Sequence, residues 1–304
     1  MSTSAKVFAS SMILSILLLI LGAPVLAQQP AQQPMTVQKI KGDLYLVKGG
    51  AGANTAFYIG EKEVVVIDAK MTADAGRQII EEIKKLTDKP ITGIIITHSD
   101  GDHVNGLNGF PTGLKIYAHQ KTKSDMEEAA KSPNAQHLLN YLPNELCSSC
   151  GASKESAMVI KSGSKEVMLY HFGPAHTSGD LVVYFPAEKV AFIGDLTFRG
   201  RDPLIHRQKG GTSIGYVNTL KAMAALKADA YLSGHTDPLT GKDLLDLAAS
   251  IEEKQAKVKA MVAEGKSLDQ IKEAFGISTA PAQPGRPAFR SLVEVMYLEL
   301  TEKK

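Results

Sequence analysis

The residues able to do chemistry crowd into one decapeptide, Thr97-His98-Ser99-Asp100-Gly101-Asp102-His103-Val104-Asn105-Gly106. Four potential metal ligands, His98, Asp100, Asp102 and His103, fall within it. Imidazole and carboxylate are the side chains that hold zinc, iron or manganese. Asp100 and Asp102 would repel each other without a cation nearby. Gly101 and Gly106 permit the tight backbone such a loop needs. Three more candidates stand downstream: His176 in Gly173-Pro174-Ala175-His176-Thr177-Ser178-Gly179-Asp180, Asp195 after Ala191-Phe192-Ile193-Gly194, and His235 after Leu232-Ser233-Gly234. Each follows an apolar stretch or a glycine turn.

Converging these residues requires strands that end at one place. Leu44–Val47, Ala56–Ile59 and Val64–Ile67 read as hairpin strands bounded by glycine and charge. Ile79, Ile80, Ile83 and Leu86 recur at helical spacing, and Pro90 stops that helix. Ile91–Thr97 reads as a buried strand, too apolar at Ile94-Ile95-Ile96 to face water. Further on, Val167–Phe172, Leu181–Phe185 and Val190–Ile193 read as strands. Tyr216, Leu220, Met223 and Leu226 mark a helix, and Ala230-Tyr231-Leu232 a short strand. The tail from Leu244 is helical, with Leu244–Ala260 read as a packing or dimer face. It carries a capping box at Ser267-x-x-Gln270. Ser132–Ser156, rich in Pro, Asn, Ser and Cys, reads as an insertion or flap. Two strand-then-helix halves with no linker imply one domain, its sheets covered by helices on both outer sides.

The composition narrows the class. With 304 residues, 44% hydrophobic and 22% charged, a disordered chain is excluded. A net charge of +2, 6% aromatics and no tryptophan argue against a nucleic-acid partner. Residues 1–27 run from Lys6 through the apolar Met12–Leu21 to Pro24-Val25-Leu26-Ala27, the order of a secretory signal peptide cleaved after Ala27. That reading gives a mature domain over 28–304, a periplasmic or secreted location and no stable membrane insertion after cleavage. In an exported protein Cys147 and Cys150, spaced C-x-x-C, are expected to form a small disulfide.

Taken together these segments resemble the metallo-β-lactamase superfamily of metallohydrolases. The resemblance rests on the metal motif, the Gly173–Asp180 context of His176, Asp195 after its apolar strand and His235 after its glycine, and covers roughly Leu44 to Asp237. It implies an α+β fold, an αββα sandwich of two mixed sheets flanked by helices. It also implies two divalent cations. The first would take His98, Asp100 and His176, the second Asp102, His103 and His235, with Asp195 bridging. Asp68, ending its strand, matches a family aspartate that braces the metal loop. One position departs: Asp100 stands where the family has its second histidine, giving H-x-D-x-D-H. A carboxylate is a harder, anionic ligand. It tilts the first site toward iron or manganese, while zinc remains the first expectation for the pair.

The chemistry implied is hydrolysis of an ester, lactone, thioester or lactam-type bond, or of a sulfate or phosphate ester, in a small-molecule substrate. Two cations about 3.5–4 Å apart can turn a shared water into hydroxide near neutral pH. Asp102 is assigned to orient that water or accept its proton. His206 and Arg199, shortly after Asp195, are assigned to substrate binding. His119, His137 and His171 receive no role. Two rivals stand beside this reading: a non-haem di-iron oxidoreductase, suggested by Asp100, and a non-catalytic metal-binding accessory protein.

Overall fold

A computed structural model describes residues 34–302 apart from 149, 152, 154–155 and 280–288. The expected signal peptide lies outside the described residues. Twelve strands form two sheets among the described residues.

The first sheet runs in spatial order through β1 (Thr36–Lys41), β2 (Leu44–Lys48), β3 (Thr55–Ile59), β4 (Val64–Ile67), β5 (Ile91–Ile95), β6 (Lys115–His119) and β7 (Glu145–Cys147). Its first four strands are antiparallel neighbours, and β4 to β7 are parallel. The second sheet runs β12 (Ala230–Leu232), β11 (Val190–Phe192), β10 (Val182–Phe185), β9 (Lys165–Tyr170) and β8 (Met158–Ser162). Only the β11–β12 pair is parallel there.

Alternation along the strands builds the layers. Ala56 and Tyr58 of β3, with Val65 and Ile67 of β4, share one apolar cluster with Leu169, Val183, Phe185 and Phe192 of the second sheet. Their neighbours Phe57, Ile59, Val64 and Val66 face the opposite way, into a cluster with Ile79 and Ile83 of helix α1 (Ala73–Lys84). On the far side, Met168, Tyr170 and Val182 pack with Tyr216, Leu220 and Met223 of α4 (Ser213–Ala225) and Leu244, Ala248 and Ile251 of α5 (Gly241–Ala263). The order of layers is helix, sheet, sheet, helix, the expected αββα sandwich. Fully burying each of these aliphatic side chains contributes roughly 1.5–3 kcal/mol.

The helices start where their caps dictate. Thr72 accepts from Ala75 N to open α1, and Thr212 accepts from Gly215 N to open α4. The box Ser267–Gln270 opens α6 (Leu268–Ala274) as expected. A last helix, α7 (Leu292–Thr301), buries Leu292, Val293, Val295 and Met296.

Several elements differ from the sequence reading. Helix α1 ends at Lys84, so Leu86 lies beyond it and is exposed. Strand β5 ends at Ile95, which leaves Thr97 in the loop. Within the stretch read as an insertion or flap, residues 133–147 are built into the fold: Glu145–Cys147 adds β7 to the sheet, and the 3₁₀ segment Pro133–Tyr141 buries Leu138 and Tyr141, with Tyr141 Oη donating to Phe110 O at 2.9 Å. Cys147 and Cys150 are joined by a disulfide, their Cα atoms 5.6 Å apart.

His119, at the end of β6, stacks on His171 with ring centroids 4.1 Å apart. Its Nδ1 accepts from Lys121 N and caps α3 (Gln120–Ala129). Burial, then His171 and Lys121, push its imidazole down to about 4. The unfolded chain, at about 6.5, therefore binds the proton more readily. Stability is fully present above about pH 6.5 and is lost as pH falls toward 4, by at most about 3 kcal/mol. His119→Asn keeps a capping acceptor and is expected to flatten the fall in urea midpoint between pH 7.5 and 5. Equal slopes in both proteins would contradict this origin.

Candidate metal centre

The parallel pairs β4–β5 and β11–β12 place the carboxyl ends of their strands together. From those ends come Asp68 after β4, the His98–His103 loop after β5, Asp195 after β11 and His235 after β12. The loop after β9 brings His176. A four-residue helix, α2 (Gly101–Val104), turns Asp102 and His103 inward.

Seven side chains meet in two adjoining sets. His98, Asp100, His176 and Asp195 offer donor atoms within 4.8 Å of one another, as do Asp102, His103 and His235. Asp195 lies between the sets, with Oδ1 3.1 Å from His103 Nε2, and Oδ2 3.1 Å from His235 Nε2 and 3.9 Å from His98 Nε2. Asp102 Oδ2 is 3.2 Å from His235 Nε2, and Asp100 Oδ2 is 3.2 Å from His176 Nε2.

The outer nitrogen of three rings is fixed. His103 Nδ1 donates to Asp68 Oδ2 at 2.7 Å, and His176 Nδ1 donates to Leu204 O at 2.8 Å. Thr97 Oγ1 donates to Asp68 at 2.7 Å and so accepts from His98 Nδ1 at 3.0 Å. Each arrangement leaves Nε2 with a lone pair aimed inward, the form a metal ligand needs. Asp68 also accepts from Thr97 N at 2.8 Å. It does so from a left-handed backbone, φ +60°, a conformation costly for a non-glycine residue. Gly234, beside His235, has no substitute: a Cβ there would sit 2.6 Å from Asp195 Oδ1 and 2.8 Å from the His103 ring.

The residues fit a cation pair. His98 Nε2, His103 Nε2 and Asp195 Oδ1 are buried and make no hydrogen bond, a costly state that metal coordination relieves. The fields agree. Burial works to raise the Asp100, Asp102 and Asp195 carboxyls, yet the surrounding histidines hold all three below the usual range. Burial lowers His176 and His235, but their aspartates outweigh it and lift both to about 9. A cluster that draws protons onto its histidines is one in which cations can take the protons' place.

His206 does not line the mouth of the site. It is buried, with Nε2 2.8 Å from Asp100 Oδ2, because His206 N donates to His176 O at 2.8 Å and pins its loop behind the centre. Arg199 points to the side, where Nη2 donates to Pro238 O at 3.4 Å, in a shallow depression shared with Lys48, Asn54 and His235. The mouth is a cavity of about 370 Å³ onto Asp100, Asp102, Asp195 and His235, and its guanidinium groups are Arg201 and Arg290. Arg201 lies over the Phe198 ring at 4.1 Å. Sequence reasoning assigned Arg199 rather than Arg201 to the substrate, and it missed Arg290 and Lys209. Lys209 Nζ reaches Asp100 Oδ1 at 2.7 Å. The Gly210-Gly211 turn beside Lys209 was its one available signal.

The family model for the metallo-beta-lactamase superfamily matches residues 49–235, more than half the chain. The chain belongs to the metallo-beta-lactamase superfamily. Among its relatives, a metallo-beta-lactamase type 2 of Elizabethkingia meningoseptica is 28% identical over 60% of this chain and 68% of that one. A linear primary-alkylsulfatase of a Pseudomonas species is 23% identical over 60% of this chain but only 41% of its own length. Solved structures share the fold: a metallo-beta-lactamase from Pontibacter korlensis superposes with TM-score 0.59 at 17% identity, over 71% of this chain and 99% of that one. A stereoselective inverting sec-alkylsulfatase from Pseudomonas sp. gives TM-score 0.68 at 17% identity, over 88% and 50%. As a superfamily member with a histidine–aspartate cluster able to hold metal, the protein is a metal-dependent hydrolase.

Proposed function

We propose that the chain is an exported two-cation hydrolase, zinc-loaded by first preference. It would cut an ester, lactone, thioester or lactam-type bond in a small molecule that carries an anionic group. The observation that carries this reading is the convergence of seven ligand side chains, three with orphaned buried atoms; four of the seven (Asp100, Asp102, Asp195 and His235) line an open cavity. Fold alone does not choose the bond, since one fold hosts many chemistries.

A bound cation pair supplies charge stabilisation and acidifies water. The protein's own groups do the rest. Asp102, with its side chain 21% exposed at the cavity, is placed to accept a proton from an attacking water. Asp195 spans both ligand sets and fixes their separation. Arg201 and Arg290 at the rim favour an anionic substrate, and Phe198, Leu204, Ile277, Phe289 and Leu292 give it an apolar wall. Among the described residues no helix is long and apolar enough to cross a membrane. Export rests on the order of residues 1–27 alone, and amino-terminal sequencing of the exported protein should begin at Gln28.

The test is a panel of an ester, a lactone, a thioester, a β-lactam and an alkyl sulfate, offered to protein stripped by chelator and reloaded with zinc, manganese or iron. Turnover of at least one substrate should vanish on stripping and return on reloading. Undiminished turnover by metal-free protein would overturn the reading. An iron-only protein with a redox-active optical band and no hydrolysis would favour the oxidoreductase.

A further inference from the structure

Asp100 differs from the other carboxylates of the centre. The Asp102 and Asp195 ion pairs are with histidines alone, and Asp68 is held by Thr97 and His103. Asp100 instead meets an ammonium: Lys209 Nζ lies 2.7 Å from its Oδ1 and donates also to Ser99 Oγ at 2.9 Å. His206 Nε2 holds the other oxygen at 2.8 Å, while Gln208 Nε2 lies 3.0 Å from His206 Nδ1.

Both partners come from one turn, built against the His176 loop. His206 N donates to His176 O, Ser178 N to Lys209 O, and Thr212 N to Ala175 O, at 2.8, 2.8 and 3.0 Å. Gly211 lets the strands of this loop touch: a Cβ there would stand 2.4 Å from His176 O. The backbone that presents the His176 ligand therefore also presents Lys209 and His206.

We propose that Asp100 and Lys209 act as one unit, a carboxylate neutralised by its own ammonium, standing where a neutral imidazole would otherwise hold the first cation, with His206 fixing the carboxylate's orientation. The inference rests on the two-cation reading above. An imidazole carries no charge and needs no counter-ion. A carboxylate adds a negative charge, and the lysine returns it. Lys209 is thus a positioning residue, useful only while Asp100 is present. Without the carboxylate its ammonium faces the cation as an uncompensated like charge.

The claim predicts a sign reversal. The full-length chain and its variants are titrated with Zn²⁺ alone in competition with a chromophoric chelator, and folding is followed by thermal unfolding. Asp100→His restores three imidazoles, yet it should weaken the first cation by about tenfold or more, the scale of outer-partner effects. Asp100→His combined with Lys209→Met should recover that loss. Lys209→Met alone, with Asp100 in place, should give no comparable gain. If Asp100→His fails to fold, Asp100→Asn with and without Lys209→Met supplies the same cycle. Equal zinc affinity of Asp100→His with and without Lys209→Met would overturn the pairing. A wild-type chain that takes up no zinc would instead overturn the two-cation reading, so the two failures are distinct.

Discussion

Replacing Asp102 with alanine is expected to lower turnover by about 10²–10⁴-fold, the contribution of a positioned proton acceptor. Stability of the cation-free chain should fall by no more than about 1–3 kcal/mol. Asp102 lies at the mouth, is excluded from the three apolar clusters and sits in the repulsive field of Asp195. Removing it deletes no apolar packing and relieves one like-charge contact, but it also takes away the His235 pairing at 3.2 Å. Initial rates on whichever panel substrate is turned over, together with a thermal melt, check both halves. A non-catalytic accessory protein would lose at most cation affinity. An unchanged rate at saturating cation would remove Asp102 from the chemistry.

The largest structural effect should come from Asp68→Ala. The side chain is fully buried and accepts from Thr97 N, Thr97 Oγ1 and His103 Nδ1. Deleting it strands three donors in the core at the hinge between sheet and metal loop. The expected cost is about 3–5 kcal/mol, a fall in Tm of roughly 10 °C. His103 also loses the partner that orients its ring, which should weaken cation binding at its set by about 10–100-fold. Asp68→Asn separates these effects, since it keeps the volume and one acceptor while changing what His103 Nδ1 can donate to. Unaltered melting of Asp68→Ala would contradict the brace.

Both aspartates were singled out before any coordinates: Asp102 from the density of ligands around it, Asp68 only through the family resemblance, which matches it to a bracing aspartate. The same holds for the sandwich core, because Val64–Ile67 and Leu181–Phe185 are too apolar to lie anywhere but inside. What escaped notice had weak local signals. Strand β1 has exposed and half-buried residues only, so its pairing with β2 leaves no apolar run to read. Strand β7 is three residues long and is a strand only because β6 offers it an edge. Lys209 looks like any other surface cation, and its contact with Asp100 joins residues 109 apart in sequence. Arg199 and Arg201 are indistinguishable by composition. Only the backbone decides that one leans on Pro238 and the other crosses Phe198 into the mouth.

The most direct test of the central claim is elemental analysis of the purified, folded protein, paired with chelator treatment. The centre described here predicts about two divalent cations per chain, loss of hydrolysis as they are withdrawn, and its return when they are restored. A folded chain that binds no divalent cation, or one that hydrolyses its substrate just as fast without any, would contradict it.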